Sequence, residues 1–363
     1  MVDCGTTSCW ENALRPYLIK LKSSGKKIDF AVLSHIDSDH IGGALHLFAD
    51  PEMRSLIGEV WYNSLRHLAS QNIKASLTKN EQAILSSMAT IGCEMRDVTS
   101  GEISANQAMQ LTELLDEAKV TWNRCSNNNA ICSNTRSLRL APNIQIDFLL
   151  PSKVAMKSLL QEFQYELNKR HMGMPVVATS ESEHVFEAMF YNQRDTQISS
   201  NPIAGETPSL NDIEKWAIEA AKPDLSVTNA SSIAFIVLYG DHALLFPGDA
   251  TAEELLPALS CWKTITNHSL FFDVIKLPHH GSMNNCLPLF DLIDGKYFLI
   301  STDGRKYAHP SKETLAKIVS RSCDFQRHLI FNYPNEMYYL FSDLQMEQKY
   351  RYSTEVQTES TIL

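Results

Sequence analysis

The sequence lacks a CxxC pair, a long apolar run and any excess of basic residues. Its eight cysteines, Cys4, Cys9, Cys93, Cys125, Cys132, Cys261, Cys286 and Cys323, are scattered over 363 residues. Without paired spacing they do not read as a zinc ribbon, and without an export signal they read as reduced thiols. "CSNNNAIC" at 125–132 reads as a polar surface loop in preference to a disulfide loop. The longest apolar stretch, "IAFIVLYG" at 233–240, is far too short to cross a bilayer. The opening "MVDCGTTSCW" has neither a basic nor an apolar leader segment, so no signal peptide is expected. The expected location is cytoplasmic, with no membrane partner. Lysine and arginine number 32 against 42 aspartates and glutamates, for a formal charge of −10. That balance excludes broad nonspecific attraction to nucleic acid. It leaves room for a metal-dependent enzyme, because bound cations invert the local field.

What is present is a large globular chain, 44% hydrophobic, of α/β pattern. "TTSCWENALRPYLIKLKSSG" has helical spacing of Trp10, Leu14, Tyr17, Leu18 and Leu21. "KIDFAVLSH" reads as a buried strand and "IGGALHLFAD" as the helix after it. "IQIDFLLP" (144–151) reads as a strand and "KVAMKSLLQEFQYELNKRH" (153–171) as a helix. Residues 172–222 read as polar and irregular up to a second helix, "LNDIEKWAIEAA". "SIAFIVLYGDHALLFPGDA" (232–250) reads as two strands joined by a Gly-Asp turn, and "FDVIKLPHHGS" as a strand ending in two histidines. "KYFLIST" and "RHLIFNYP" supply later strands. The expected organisation is an N-terminal half over 1–151, a helical insertion over 152–222, a C-terminal half over 223–352 and a loose tail over 353–363.

The polar clusters fall at strand ends. "VLSHIDSDHIGG" (32–43) crowds His35, Asp37, Asp39 and His40 between an apolar run and Gly42–Gly43. Residues two apart on an extended strand end face the same side, so His35 and Asp37 can converge on one ion. Asp39 and His40 lie beyond the turn and can reach a second. The glycines are expected to make that turn tight. Mixed imidazole and carboxylate donors suit zinc or a harder ion such as manganese. The competing reading is a polar turn whose aspartates cap the next helix. "FPGDA" places Asp249 at another strand end, and "LPHHGS" places His279 and His280 at a third. Lys276, on that last strand, is expected to extend outward, and His67 to sit on a surface helix.

"SHIDSDHIGG", "FPGDA" and "IKLPHHGS", in that order, resemble the metallo-β-lactamase superfamily of binuclear hydrolases. The opening "VDCG" resembles the family's early strand end, which puts Asp3 beneath the metal loop. "HHGS" and "STDGRKYAHP" (301–310) are closest to the metallo-hydrolase domain of bacterial competence DNA-uptake proteins. The resemblance implies an α/β fold, an αββα metallo-β-lactamase sandwich with a helical insertion, and a cofactor of two divalent metal ions (Zn or Mn). By that resemblance His35 and Asp37 bind the first ion, Asp39, His40 and His280 the second, and Asp249 bridges. A ligand histidine directly before glycine favours His280 over His279, which then faces the substrate. The implied catalytic residues are Asp39, Asp249, His279 and His309. Ser282, Tyr307 and Asn229 are the implied substrate-binding residues.

Two departures stand out. Asn229 occupies the place of the family's third first-site histidine, a substitution the competence-type branch also tends to show. Only Met1 and Val2 precede "DCG", so either the start is truncated or misassigned, or the edge of one sheet is completed by something else, an open edge being a pairing liability. The implied function is hydrolysis by a metal-bridging hydroxide, with a phosphodiesterase or nuclease first. A small-molecule phosphodiesterase or lactonase is the second reading, and a non-catalytic metal-stabilised regulatory protein the third. Expected partners are nucleic acid and a protein docking on 152–222 or on the N-terminal sheet edge.

Overall fold

The structure, a computed structural model, describes residues 1–69, 77–88, 110–170, 175–191, 210–305 and 308–357. The chain divides into two units. The first comprises Met1–Thr135 with Ser152–Arg194, and the second Arg136–Pro151 with Asp195–Leu363.

In the first unit, helix α1 (7–23) is α-helical at both ends with a π turn over Trp10–Leu14. The extra residue of that turn lies where Trp10 is buried and stacked on His46. Strands β1 (Ile28–Val32), β2 (Ile57–Trp61) and β3 (Thr121–Trp122) form a parallel sheet in that order. Met1–Asp3 line the β1 edge that the sequence left open: Val32 N–H donates to Met1 O (2.9 Å) and Asp3 N–H to Val32 O (2.7 Å). Helix α2 (Ser38–Ala49) follows β1 directly.

The glycine pair does not make the expected turn. Gly42 and Gly43 lie inside α2, where a Cβ on Gly43 would collide with the Cys4 carbonyl oxygen. Their small size admits the N-terminal segment against the helix, and Gly43 N–H donates to Gly5 O at 2.8 Å. His67, expected at a surface, is buried in α3 (Leu65–Ala69), edge-on to Trp122. Burial drops its pKa to about 4.

Residues 152–222, read as one insertion, are shared between the units. Helices α5 (Lys153–Arg170) and α6 (Ser180–Phe190) belong to the first. The sequence reading missed α6, whose Phe186 and Phe190 pack on Phe163 of α5. Its glutamates do unusual work for their type. Glu183 is buried and accepts from the backbone N–H groups of Leu65 (3.1 Å) and Arg66 (2.8 Å), at the start of α3. One turn later Glu187, also buried, accepts from Leu111 N–H (2.8 Å) and Thr112 N–H (2.9 Å), at the start of α4 (Leu111–Ala118). Each carboxylate satisfies the orphan N–H groups of a helix distant in sequence and favours its positive end. These residues are therefore structural parts of the first unit.

The second unit is an eight-stranded sheet ordered β11-β10-β9-β8-β7-β6-β5-β4. Strands β4 (Leu138–Ala141), β5 (Ile144–Leu150), β6 (Ala234–Tyr239) and β7 (His242–Phe246) are antiparallel neighbours. The Gly240-Asp241 turn joins β6 to β7 as expected, with Gly240 at φ +59°. From β7 onward, β8 (Phe271–Lys276), β9 (Asp294–Ile300), β10 (Arg327–Phe331) and β11 (Tyr352–Val356) run parallel. Residues 353–356 are thus not loose tail but most of an edge strand; 358–363 lie outside the described residues. Ahead of β6 come α7 (Leu210–Trp216) and the short α8 (Val227–Ala230). Helices α9 (Ala252–Thr266), α10 (Lys312–Ser320), α11 (Glu336–Phe341) and α12 (Leu344–Tyr350) serve the parallel half. The core joins Leu245, Phe272, Ile275, Phe298 and Phe331 of the sheet to Leu255, Leu259 and Leu315 of the helices.

The fold is α/β as expected, and the two sheets with their helices, one set in each unit, are the components of an αββα sandwich. Among the described residues no helix is long and apolar enough to cross a membrane. Each unit places its polar cluster at the carboxyl ends of parallel strands, the usual ligand side of such sheets. Replacing Glu187 by alanine strips the N-terminus of α4 of its acceptor and should destabilise the first unit by roughly 2–3 kcal/mol. Chemical denaturation of the Glu187→Ala protein against wild type measures that loss.

Candidate metal centre

In the first unit the cluster is built on the end of β1. Asp3, in the left-handed region at φ +53°, turns its carboxylate toward the loop. Its Oδ1 accepts from Ser34 N–H (2.7 Å), and its Oδ2 accepts from Ser34 Oγ (3.0 Å) and His40 Nδ1 (2.8 Å). A carboxylate oxygen only accepts, so the proton of His40 sits on Nδ1 and Nε2 keeps its lone pair. Ser34 Oγ–H donates to Asp3, so its oxygen accepts from His35 Nδ1 (3.0 Å), which leaves His35 Nε2 unprotonated. Burial would raise the Asp3 pKa, but the His40 ring and the Ser34 N–H outweigh it and hold the carboxyl below its ordinary value. The two rings lie 4.1 Å apart between centroids, and ligand atoms of His35 and His40 lie within 4.8 Å of each other, as do those of Asp39 and His40.

Asp37 bears on the capping reading. It occupies the N-cap position of α2 yet makes no side-chain capping hydrogen bond. Its Oδ2 instead lies 3.5 Å from His35 Nε2, and Oδ1 and that Nε2 are both buried without a hydrogen-bond partner. A carboxylate oxygen of half-buried Asp37 and a buried imidazole nitrogen turned on each other are favoured by a cation between them. The donor set suits a divalent ion, and Asp3 behind His40 is the carboxylate–histidine arrangement that orients metal ligands.

In the second unit Asp249 follows β7 through Gly248, at φ +59°. It is not the cap of α9, which is Thr251. After β8, His279 and His280 both sit at positive φ, +47° and +54°, ahead of Gly281 at +93°. Such backbone strain in consecutive non-glycine residues is typical of functional sites. A Cβ on Gly281 would lie 2.5 Å from Pro310 Cβ, so the bend is fixed. His280 Nδ1 donates to Ser301 O (2.7 Å), which turns Nε2 toward Asp249 Oδ2 at 3.5 Å.

Lys276 does not extend outward. Its ammonium is buried 3.8 Å from Asp249 Oδ1, because the strand's last side chain turns to the same side as the polar cluster. His279 is buried, with Nδ1 facing Asn285 Oδ1 (3.2 Å) and Asp224 Oδ2 (3.6 Å). Asn229, expected beside the first ion or substrate, donates its amide to Asp224 Oδ2 at 2.9 Å. His309 is buried with its ring 5.4 Å from that of His279. Ser282 Oγ is buried and has no hydrogen-bond partner among the described residues. Tyr307 lies outside the described residues. Sequence reasoning missed Ser34, Asp224 and Asn285, each polar and unremarkable in a loop. All described cysteines are free, Cys125 and Cys132 among them.

Residues 1–79 match the family model described as the metallo-beta-lactamase superfamily, whose members are mostly metal-dependent hydrolases. The matched segment contains the whole "SHIDSDHIGG" loop and Asp3. No curated protein matches the chain.

Burial raises the Asp224 pKa, but hydrogen bonds from His279, Asn229, the Ser226 N–H and Asn285 bring it from the usual 3.8 down to about 2. A depressed folded pKa adds stability above pH ~4 that is lost as pH falls toward ~2, on the order of 2 kcal/mol. Denaturation midpoints measured between pH 5 and 2 should show this acid loss in wild type and less of it in Asp224→Asn.

Proposed function

We propose that the protein is a metal-dependent hydrolase of phosphodiesters, with nucleic acid as the first substrate class. The observation that carries the proposal is Asp37, an N-cap aspartate whose carboxylate leaves the helix end and faces the bare Nε2 of His35. Within the first unit His35, Asp37, Asp39 and His40 would ligate, and within the second Asp249 and His280, in each case toward divalent zinc or manganese. When bound, such ions lower the pKa of water and neutralise charge developing at phosphorus.

The chain's own residues do the rest. Asp3 and Ser34 hold the two imidazoles of the loop in the tautomer that leaves Nε2 open. Asp39 in the first unit and Asp249 in the second each offer carboxylate oxygens that accept hydrogen bonds from water. Lys276, beside Asp249, adds a fixed positive charge. His309 or His279 assists the leaving oxygen, His279 once its Nε2 has taken up a proton that it can then deliver, and Ser282 donates to a phosphate oxygen. A charge of −10 weakens intrinsic affinity for nucleic acid, so delivery of the strand by a partner protein fits this chemistry.

Elemental analysis of purified protein should find bound zinc or manganese, with cleavage of DNA and of bis(p-nitrophenyl) phosphate that Asp39→Ala and Asp249→Ala abolish. Metal-free protein with no turnover after loading would sink the proposal. Hydrolysis of the small diester alone would move the substrate from nucleic acid to a small molecule. Asp3→Asn should weaken metal affinity about 10- to 100-fold, read by competition with a chromogenic chelator.

A further inference from the structure

Asp224 has a local duty that accounts for half of its carboxylate. Its Oδ1 accepts from Ser226 N–H at 2.9 Å, a turn that any aspartate two residues before a helix cap can make. The cap of α8 itself is Ser226, which accepts from Asn229 N–H. The other oxygen, Oδ2, is committed elsewhere. It accepts from Asn229 Nδ2 (2.9 Å) and Asn285 Nδ2 (3.0 Å) and faces His279 Nδ1 at 3.6 Å. Asn285 is held in turn by the carbonyls of Asp249 and Ala250, both at 3.3 Å, so its Oδ1 is left facing His279 Nδ1. Asp224, Asn229, His279 and Asn285 are all buried. Burying a carboxylate this deeply is unfavourable without a full set of donors, and a turn at the surface would need none of them.

Resting on the hydrolase reading above, we propose that Asp224 is a positioning residue. With Asn285 it fixes the orientation of the His279 ring through Nδ1, and Asn229 serves this carboxylate instead of a metal. The arrangement gives a physical reason for the missing histidine at position 229. A short amide there donates to Asp224, whereas an imidazole reaching away to an ion would leave Oδ2 one donor short. It also assigns the two adjacent histidines different backing. His280 rests on a neutral carbonyl, Ser301 O, and His279 on a carboxylate and an amide oxygen.

The test uses the metal-loaded full chain with bis(p-nitrophenyl) phosphate. Asp224→Asn should lower kcat about 10- to 100-fold, with KM changed by less than about threefold and metal content at the wild-type level. In a double-mutant cycle, adding Asp224→Asn to His279→Ala should cost nothing further, because the carboxylate acts through the ring. Independent, multiplying losses in the cycle would overturn the proposal, as would loss of metal in Asp224→Asn. Nitrogen-15 histidine spectra of the wild type, with His279 assigned from His279→Ala, do not depend on the variant folding. They should show His279 protonated at Nδ1 with Nε2 bare; the opposite tautomer would overturn the positioning. A wild type that binds metal but turns over no diester would instead remove the hydrolase reading, and with it the catalytic role of the ring.

Discussion

The carboxylate of Asp3 is the interaction on which the first unit's site depends. It ties three pieces of chain together: the N-terminal segment beside β1, the strand end at Ser34 and the first turn of α2 at His40. Taking it out of water is unfavourable, and the three donors compensate for the desolvation. The same bonds set the tautomers of His40 and, through Ser34, of His35. Gly43 is what lets the segment come close enough, since any side chain there would strike Cys4. A packing constraint on a helix and the protonation of two imidazoles are thus parts of one arrangement.

The second unit reaches a similar end with different means. His280 is oriented by a backbone carbonyl, and His279 by the Asp224 and Asn285 side chains. Both are carried on a strained left-handed bend that Gly281 and Pro310 enforce. In His35, His40 and His280 the orienting hydrogen bond is on Nδ1, and in His279 the Asn285 and Asp224 oxygens face Nδ1. Carboxylate backing strengthens a histidine as donor more than a neutral carbonyl does.

Much of this was legible because strand ends and motif order are local. The apolar runs before His35, Asp249 and His279 read as strands, and they are β1, β7 and β8. The loop's donors could be named from their types and spacing. Other features were illegible for reasons that particular residues make plain. Gly42 and Gly43 looked like a turn because glycine marks both turns and close contacts. Lys276 looked outward because the sequence does not say which face of β8 meets the polar cluster. Helix α6 was hidden because Glu183 and Glu187 look like solvent residues until their targets, residues 65–66 and 111–112, are in view. Residues 353–356 looked loose because an edge strand of "STEV" has little apolar signal of its own.

The sequence by itself determined the α/β class, the places where chemistry gathers and the kinds of atom available there. These follow from periodicity and residue type, which act over a few neighbouring positions. Only the tertiary structure decided what each polar atom faces. That Asp37 turns from its helix to His35, that Asn229 serves Asp224, and that Asp224 meets His279 and Asn285 are contacts between residues up to 61 positions apart. Such pairings depend on how buried groups find donors and acceptors once the chain is folded. No local pattern encodes them.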